Sequence, residues 1–100
     1  MRHWQRGYTE TVKINIKDIK RETAKAILVQ VPDNAPHYAG FSYWFPKSLV
    51  RLIRNDPDKR VLCLPARMFV TLQKSGYPKY EQSALRLPII FGEELDWTKQ

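Results

Sequence analysis

The sequence lacks most of the residues from which catalytic and metal sites are built. Its 100 residues include one cysteine, two histidines and four glycines. His3 and His37 are far apart, so no pair has the spacing of zinc ligands, and no glycine-rich phosphate-binding loop is present. We therefore expect a non-enzymatic protein with no catalytic residues, no metal site and no cofactor.

The single cysteine and the absence of long apolar runs indicate where the protein works. Cys63 cannot form an intramolecular disulfide, which is typical of proteins in a reducing cytoplasm. No segment approaches the ~18 consecutive apolar residues of a membrane span. We expect a cytoplasmic protein with no membrane partner.

Positive charge is what the sequence has in excess. Seventeen Lys and Arg residues stand against ten Asp and Glu residues, a net charge of +7. Residues 1–86 carry a net charge of +9, whereas residues 87–100 carry −2. A basic body attracts polyanions, with nucleic acid as the first candidate and an acidic protein surface as the second. Solubility alone is a simpler explanation of the same charge.

The length and the turn-forming residues predict one small domain. A hydrophobic share of 43% is that of a globular protein, and 100 residues suffice for one domain. We expect an N-terminal arm at 1–8, a basic domain at 9–92 and an acidic tail at 93–100. Seven prolines divide the chain into short pieces and argue against long helices.

Short apolar segments predict a β-rich fold. Predicted strands, the first two paired as a hairpin, lie at 9–19, 24–31, 41–45, 60–64 and 85–91. A helix is predicted between Pro65 and Gly76, with Phe69 on its apolar face, and 47–54 fits either a helix or a strand. The sum is an α+β domain. It has a small antiparallel sheet or partly open barrel of five or six short strands, with one or two short helices.

Two groups of basic side chains are suited to phosphate contact. The first lies along the first strand and its hairpin tip, where Lys13 and Lys17 share one face by period-two spacing. Its members are Lys13, Lys17, Lys20, Arg21 and Lys25. The second group forms one stripe if 47–54 is a helix, and it consists of Lys47, Arg51 and Arg54. A solvated surface explains either group without any ligand.

Aromatic residues around the third strand offer the second component of a nucleic-acid site. Single-strand binders stack bases on rings while Lys and Arg hold phosphates. Phe41 and Phe45 are expected in the core, whereas Tyr38, Tyr43 and Trp44 are candidates for the surface. Tyr43 and Trp44 are therefore predicted to stack on bases, with core packing as the alternative. A further set suited to any interface consists of Tyr77, Pro78, Lys79, Tyr80 and Arg86.

Two short motifs resemble a pattern in small proteins of Gram-positive phages and mobile elements. Residues 19–29 contain Glu-Thr-Ala-Lys-Ala-Ile-Leu, and 43–50 contain Trp-Phe-Pro-Lys-Ser-Leu-Val. In that family an E-T/S-x-K-A-x-L strand precedes a W-x-P-K-S-x-hydrophobic strand, and the match covers about residues 12–75. The resemblance implies a small β-rich domain encoded near replication genes, with 43–50 as strand and turn. It extends to the accessory middle proteins of cassette-chromosome replication operons, which partner a polymerase, and it implies no catalytic residue.

These observations predict a nucleic-acid-binding accessory protein that prefers single-stranded DNA and acts in replication of a phage or mobile element. The alternative is a protein-interaction module. It would act as an accessory subunit of a polymerase or primase, or as a phage-encoded inhibitor of a host nucleoprotein. The first hypothesis predicts binding to oligonucleotides, and the second predicts weak intrinsic affinity for them.

Overall fold

A computed structural model describes residues 10–92, which form eight short strands. The strands are β1 (Glu10–Asn15), β2 (Ile19–Glu22), β3 (Ala26–Gln30), β4 (Ser42–Pro46), β5 (Val50–Leu52), β6 (Lys59–Leu64), β7 (Phe69–Leu72) and β8 (Tyr80–Ser83). One turn of α-helix, α1 (Leu87–Ile90), follows, and 3₁₀ turns occupy 16–18, 47–49 and 84–86. The predicted arm and tail lie outside the described residues. Within 10–92, no helix has the length and apolar character needed to cross a bilayer.

The strands form three small antiparallel sheets. Sheet I has the order β1-β6-β5, sheet II the order β2-β3-β4, and sheet III consists of β7 and β8. An isolated antiparallel bridge between Ser42 and Gln73 connects β4 to the end of β7. No sheet closes into a barrel in the described part of the chain, and the predicted α+β class is confirmed.

Two stretches of chain pass from one sheet into the other through a 3₁₀ turn. β1 continues into β2 through 16–18, and β4 continues into β5 through 47–49. The strand predicted at 9–19 is wrong in extent, because β1 ends at Asn15 and a 3₁₀ turn follows it. The predicted hairpin of the first two strands is also wrong, since β1 pairs with β6 and the hairpin is formed by β2 and β3. The helix considered for 47–54 is wrong, and the turn and strand found there agree with the family resemblance. These corners add β2 and β5, and the unpredicted β7 and β8 complete a total of eight strands, above the five or six predicted.

One hydrophobic core joins the sheets. In β1, Val12 and Ile14 are buried while Thr11 and Lys13 are exposed, which confirms the period-two pattern. The inward faces of sheets I and II meet side chains from sheet III and from the α1 region. The buried members are Val12, Ile14, Leu62, Leu64, Ile27, Val29, Val31, Phe41, Tyr43, Phe45, Val70, Leu72, Ala84, Leu87 and Ile90.

Two predicted elements near the C-terminal end of the domain are wrong. The segment 65–76, expected as a helix, contains β7 between two turns. Val70 and Leu72 are buried while Phe69 and Thr71 are exposed, which is the alternation of a strand. The expected strand at 85–91 is a 3₁₀ turn followed by α1. Leu87 and Ile90, three residues apart, are both buried, and Pro88 fits the first turn of a helix.

Candidate nucleic-acid interface

A β-bulge in β2 determines which way Arg21 faces. Ile19 pairs with Val29, and the next partner of the strand, Leu28, pairs with Arg21 instead of Lys20. A bulge places two residues opposite one and can redirect a side chain. Arg21 therefore lies on the outward face of sheet II beside Leu28.

Trp44 lies on the same outward face in the next strand. It pairs with Leu28, so Arg21, Leu28 and Trp44 form one row across three strands. Neighbouring strands are about 4.8 Å apart, which places Arg21 about 10 Å from Trp44. The indole is 39% exposed, so the predicted surface position of Trp44 is confirmed.

Tyr43 points into the core, and its predicted position at the surface is wrong. It is 0% exposed, and its ring packs at an edge-to-face angle against Phe45 and Phe91. The hydroxyl group has no hydrogen-bond partner within residues 10–92. Burial, with the charge of Asp18 as a second cause, raises the pKa of Tyr43 well above its ordinary value. A ring in this position cannot stack on a base.

Tyr43→Phe is expected to stabilise the protein by about 1 kcal/mol, because it removes a buried hydroxyl that lacks a partner. Above pH about 10 the unfolded state loses the phenolic proton and the folded state keeps it. The native protein should then lose about 1.4 kcal/mol of stability per pH unit relative to the variant. Urea unfolding of both proteins between pH 7 and 11 measures this difference. A variant less stable than the native protein at pH 7 would show that the hydroxyl is satisfied.

Three of the four exposed aromatic rings within residues 10–92 lie on the outward side of sheets II and III, whereas Tyr80, 37% exposed, pairs with the inward Leu72. Besides Trp44, Phe69 is 58% exposed and Tyr77 is 55% exposed. Phe69 shares one face of its strand with Gln73, which pairs with Ser42, two residues before Trp44. The outward face of β4 therefore continues onto β7.

A shallow depression adjoins this face at the end of β7. Its lining consists of Ser42, Gln73, Lys74, Ser75, Tyr77 and Lys79. The Nζ of Lys74 lies 5.0 Å from the ring centroid of Tyr77 and 5.8 Å from that of Phe41. Gly40 has a φ of +86°, and a Cβ at that position would lie 3.2 Å from the Nζ of Lys74. The glycine leaves room for the lysine to reach both rings.

Tyr77 rests on a cluster of aromatic side chains. The Phe41 ring is 5.4 Å from that of Tyr77, 5.5 Å from that of Tyr38 and 5.8 Å from that of Tyr80. Gln82 donates a hydrogen bond of 3.4 Å from Nε2 to the Tyr38 hydroxyl. Phe41 is buried, as predicted, and Tyr38 is half-buried. The edge-to-face contact with Phe41 holds the exposed ring of Tyr77 in place, so little conformational entropy is lost when a ligand binds it.

The first predicted group of cations does not form one surface. Lys13 belongs to the outward face of sheet I, whereas Lys17 lies in the 3₁₀ turn that ends β1, so the predicted shared face is wrong. Lys20 donates a hydrogen bond from Nζ to the backbone oxygen of Lys17, at 3.0 Å. Lys25 lies at the tip of the β2–β3 hairpin. Only Arg21 of this group shares the face of Trp44.

The second predicted group is also divided, because a 3₁₀ turn and a strand replace the helical stripe. Lys47 forms an ion pair with Glu22 beside the groove between sheets I and II. Arg51 lies on the outward face of sheet I, and Arg54 lies in the turn that follows β5. None of these three side chains shares the face of Trp44.

Few carboxylates neutralise the cations. Residues 10–92 contain fourteen basic and seven acidic side chains, and the pair of Lys47 with Glu22 is the only ion pair within that range. Arg21, Lys74 and Lys79 therefore have no ionic partner in the described part of the chain. They remain available to phosphate groups.

Comparisons of the chain with protein-family models, curated proteins and solved structures find no match. No group of three or more His, Cys, Asp and Glu side chains forms a possible metal site within 10–92. Sequence reasoning missed four residues of the interface: Ser42, Phe69, Gln73 and Lys74. Phe69 was assigned to the buried side of a predicted helix, and Lys74 follows that segment without any pattern of its own. The alternation of the apolar Val70 and Leu72 with Phe69 and Thr71 is the sequence signal that could have placed Phe69 on the outward face.

Proposed function

We propose that this protein binds nucleic acid without catalysis and prefers single strands. The binding surface, here named the aromatic face, consists of Arg21, Ser42, Trp44, Phe69, Gln73, Lys74, Tyr77 and Lys79. The observation that carries the proposal is that three exposed rings and three cations without an ionic partner in residues 10–92 occupy one connected surface. Rings stack on bases of any identity, and cations between them hold the phosphates.

The preference for single strands follows from what the aromatic face can reach. Bases of a duplex are stacked inside the helix, so exposed rings meet only bases that have been unstacked. Direct reading of a duplex uses a helix or ribbon that enters the major groove. The α-helix in the described residues has four residues, too few to fill a groove. The proposed setting, replication of a phage or mobile element in the cytoplasm, rests on the sequence resemblance.

Fluorescence anisotropy of a labelled oligothymidylate across a salt series tests the proposal. Contacts from Arg21, Lys74 and Lys79 should give a log–log slope of about −2, since each phosphate contact to a single strand contributes about −0.7. Binding at moderate salt should be submicromolar. A duplex of the same length should bind about tenfold more weakly, because it forfeits at least one stacking contact worth ~1–3 kcal/mol.

A protein-interaction module is the second candidate, and the groove between sheets I and II favours it. The apolar side chains of Ile16, Ile19, Ile27 and Val50 line this groove, with the pair of Lys47 and Glu22 and the side chain of Arg60 at the same opening. Oligonucleotide binding that vanishes at physiological salt and does not distinguish single strands from duplex would favour this candidate. The partner would then be a protein, such as a polymerase or another nucleoprotein.

A further inference from the structure

The outward face of sheet I differs from the aromatic face in that it carries basic side chains and no aromatic ring. Alternation and strand register assign seven side chains to this face, here named the cationic face: Thr11, Lys13, Asn15, Arg51, Lys59, Val61 and Cys63. Three of them are basic, and none is acidic or aromatic. The cationic face can attract phosphate groups, but it has no ring on which a base could stack.

The cations of this face occupy defined positions. Lys13 and Arg51 both pair with Val61, so they flank it in one row about 10 Å long. Lys59 donates a hydrogen bond of 2.8 Å from Nζ to Oδ1 of Asn15. The guanidinium of Arg51 donates to two nearby backbone carbonyl oxygens through one nitrogen, which leaves its second terminal nitrogen for a ligand.

Within residues 10–92, no carboxylate forms an ion pair with the cations of this face. Asp56 and Asp58 precede Lys59 along the chain, in the turn between β5 and β6. Asp56 accepts a hydrogen bond from the backbone N–H of Asp58, and neither residue forms an ion pair within 10–92. The cationic face therefore keeps its positive charge and is complementary to a polyanion.

The two faces lie on different sides of one core. Val12 and Leu62 point inward from sheet I, Val29 and Phe45 point inward from sheet II, and all four belong to one buried cluster. The outward side chains of each sheet point away from that cluster. A strand bound along the aromatic face would leave the cationic face open.

We propose that the cationic face binds the phosphate backbone of a second nucleic-acid segment, so that one molecule bridges two segments. This inference rests on the proposed function for the first segment. Because the second contact depends on charge alone, it accepts single-stranded and double-stranded segments alike. Bridging raises the local concentration of one segment near the other, which promotes pairing of complementary strands.

A capture assay with the full chain tests the bridging. Oligothymidylate is fixed to beads, the protein is added, and a labelled oligothymidylate of the same length is supplied in solution. The two strands cannot pair with each other, so the label is retained only if the protein holds both. The native protein should retain the label at moderate salt and release it as salt rises, because phosphate contacts weaken with ionic strength.

The variant Lys13→Glu with Arg51→Glu is expected to lower capture at least about fivefold, because it places two like charges against phosphate. Its affinity for one oligonucleotide in solution should change less than about twofold, since the aromatic face is intact. Arg67→Glu with Arg86→Glu makes the same change in net charge at two exposed positions outside both faces. This matched control should keep capture within about twofold of the native level.

Several results would overturn the bridging proposal. The first is that the native protein captures no second strand. The second is that the variant of Lys13 and Arg51 captures as much label as the native protein. The third is that capture occurs only at concentrations at which the protein sediments as a dimer. A variant that loses affinity for one strand as strongly as it loses capture also overturns it, because the two faces would then act as one. Trp44→Ala with Tyr77→Ala separates the two proposals. If the aromatic variant loses affinity for one strand while the cationic variant keeps native capture, only the bridging proposal is refuted. If the aromatic variant binds one strand normally, the proposed function is refuted.

Discussion

Replacement of Trp44 and Tyr77 together by alanine is expected to weaken binding to a single-stranded oligonucleotide by about 30-fold or more. One base stacked on one ring is worth ~1–3 kcal/mol, and 1.4 kcal/mol corresponds to a factor of ten in affinity. Trp44 stands in a strand and Tyr77 in the loop after β7, and they share no contact partner among the aromatic pairs found. Their contributions should therefore add.

The salt dependence identifies what the double variant has lost. Its log–log slope should match that of the native protein, because no phosphate contact is removed. Leu52→Ala is the matched control: Leu52 is 76% exposed on the edge strand of sheet I and belongs to neither face. The control should bind as the native protein does. Unchanged binding by a double variant that unfolds at the native urea concentration would contradict the stacking model.

Phe45→Ala is expected to destabilise the domain by about 3–5 kcal/mol, the cost of a large aromatic side chain removed from a packed core. Phe45 is 0% exposed, pairs with Ile27 and lies 6.4 Å from the ring of Tyr43. Small domains have about 5–15 kcal/mol of total stability, so this single change uses a large share of it.

Urea unfolding followed by far-UV circular dichroism measures that loss. Trp44→Ala is the matched control, because Trp44 is the next residue of the same strand and faces outward. Its loss should be well under half that of Phe45→Ala. Equal losses from the two variants would contradict the orientation of β4, and with it the assignment of Trp44 to the aromatic face.

Strands with regular alternation could be predicted from the sequence. β3, β4 and β6 appear within two residues of their predicted bounds, because each buries alternate side chains. β1 begins within one residue of its predicted start but ends four residues early, at Asn15. β5 and β7 have three or four residues, and so few positions fit a helix as well as a strand. Their identity is decided by pairing with β6 and β8, which lie elsewhere in the chain.

The candidate site was less predictable, because small departures from regularity decide it. The bulge at Lys20 turns the side chain of Arg21 outward. No residue type in β2 predicts a bulge at this position. Tyr43 shows the opposite case, since alternation in β4 already places it with Phe41 and Phe45 on the inward face. The polar hydroxyl group of Tyr43 favours a surface position, but the alternation of side chains along β4 places the ring in the core. Lys74 reaches Tyr77 beside Gly40, where the absence of a Cβ leaves space for the end of the lysine side chain.

The pairing of β1 has a consequence for the chain as it leaves the ribosome. Among residues 10–92, β1 pairs with β6 alone, so Glu10 meets Leu64 after more than fifty further residues have been added. At 5–20 residues per second, β1 waits about 3–10 s for its partner. β2, β3 and β4 lie within 19–46 and can pair as soon as they emerge. During this interval the exposed charge of Lys13 protects β1 from pairing with other nascent chains.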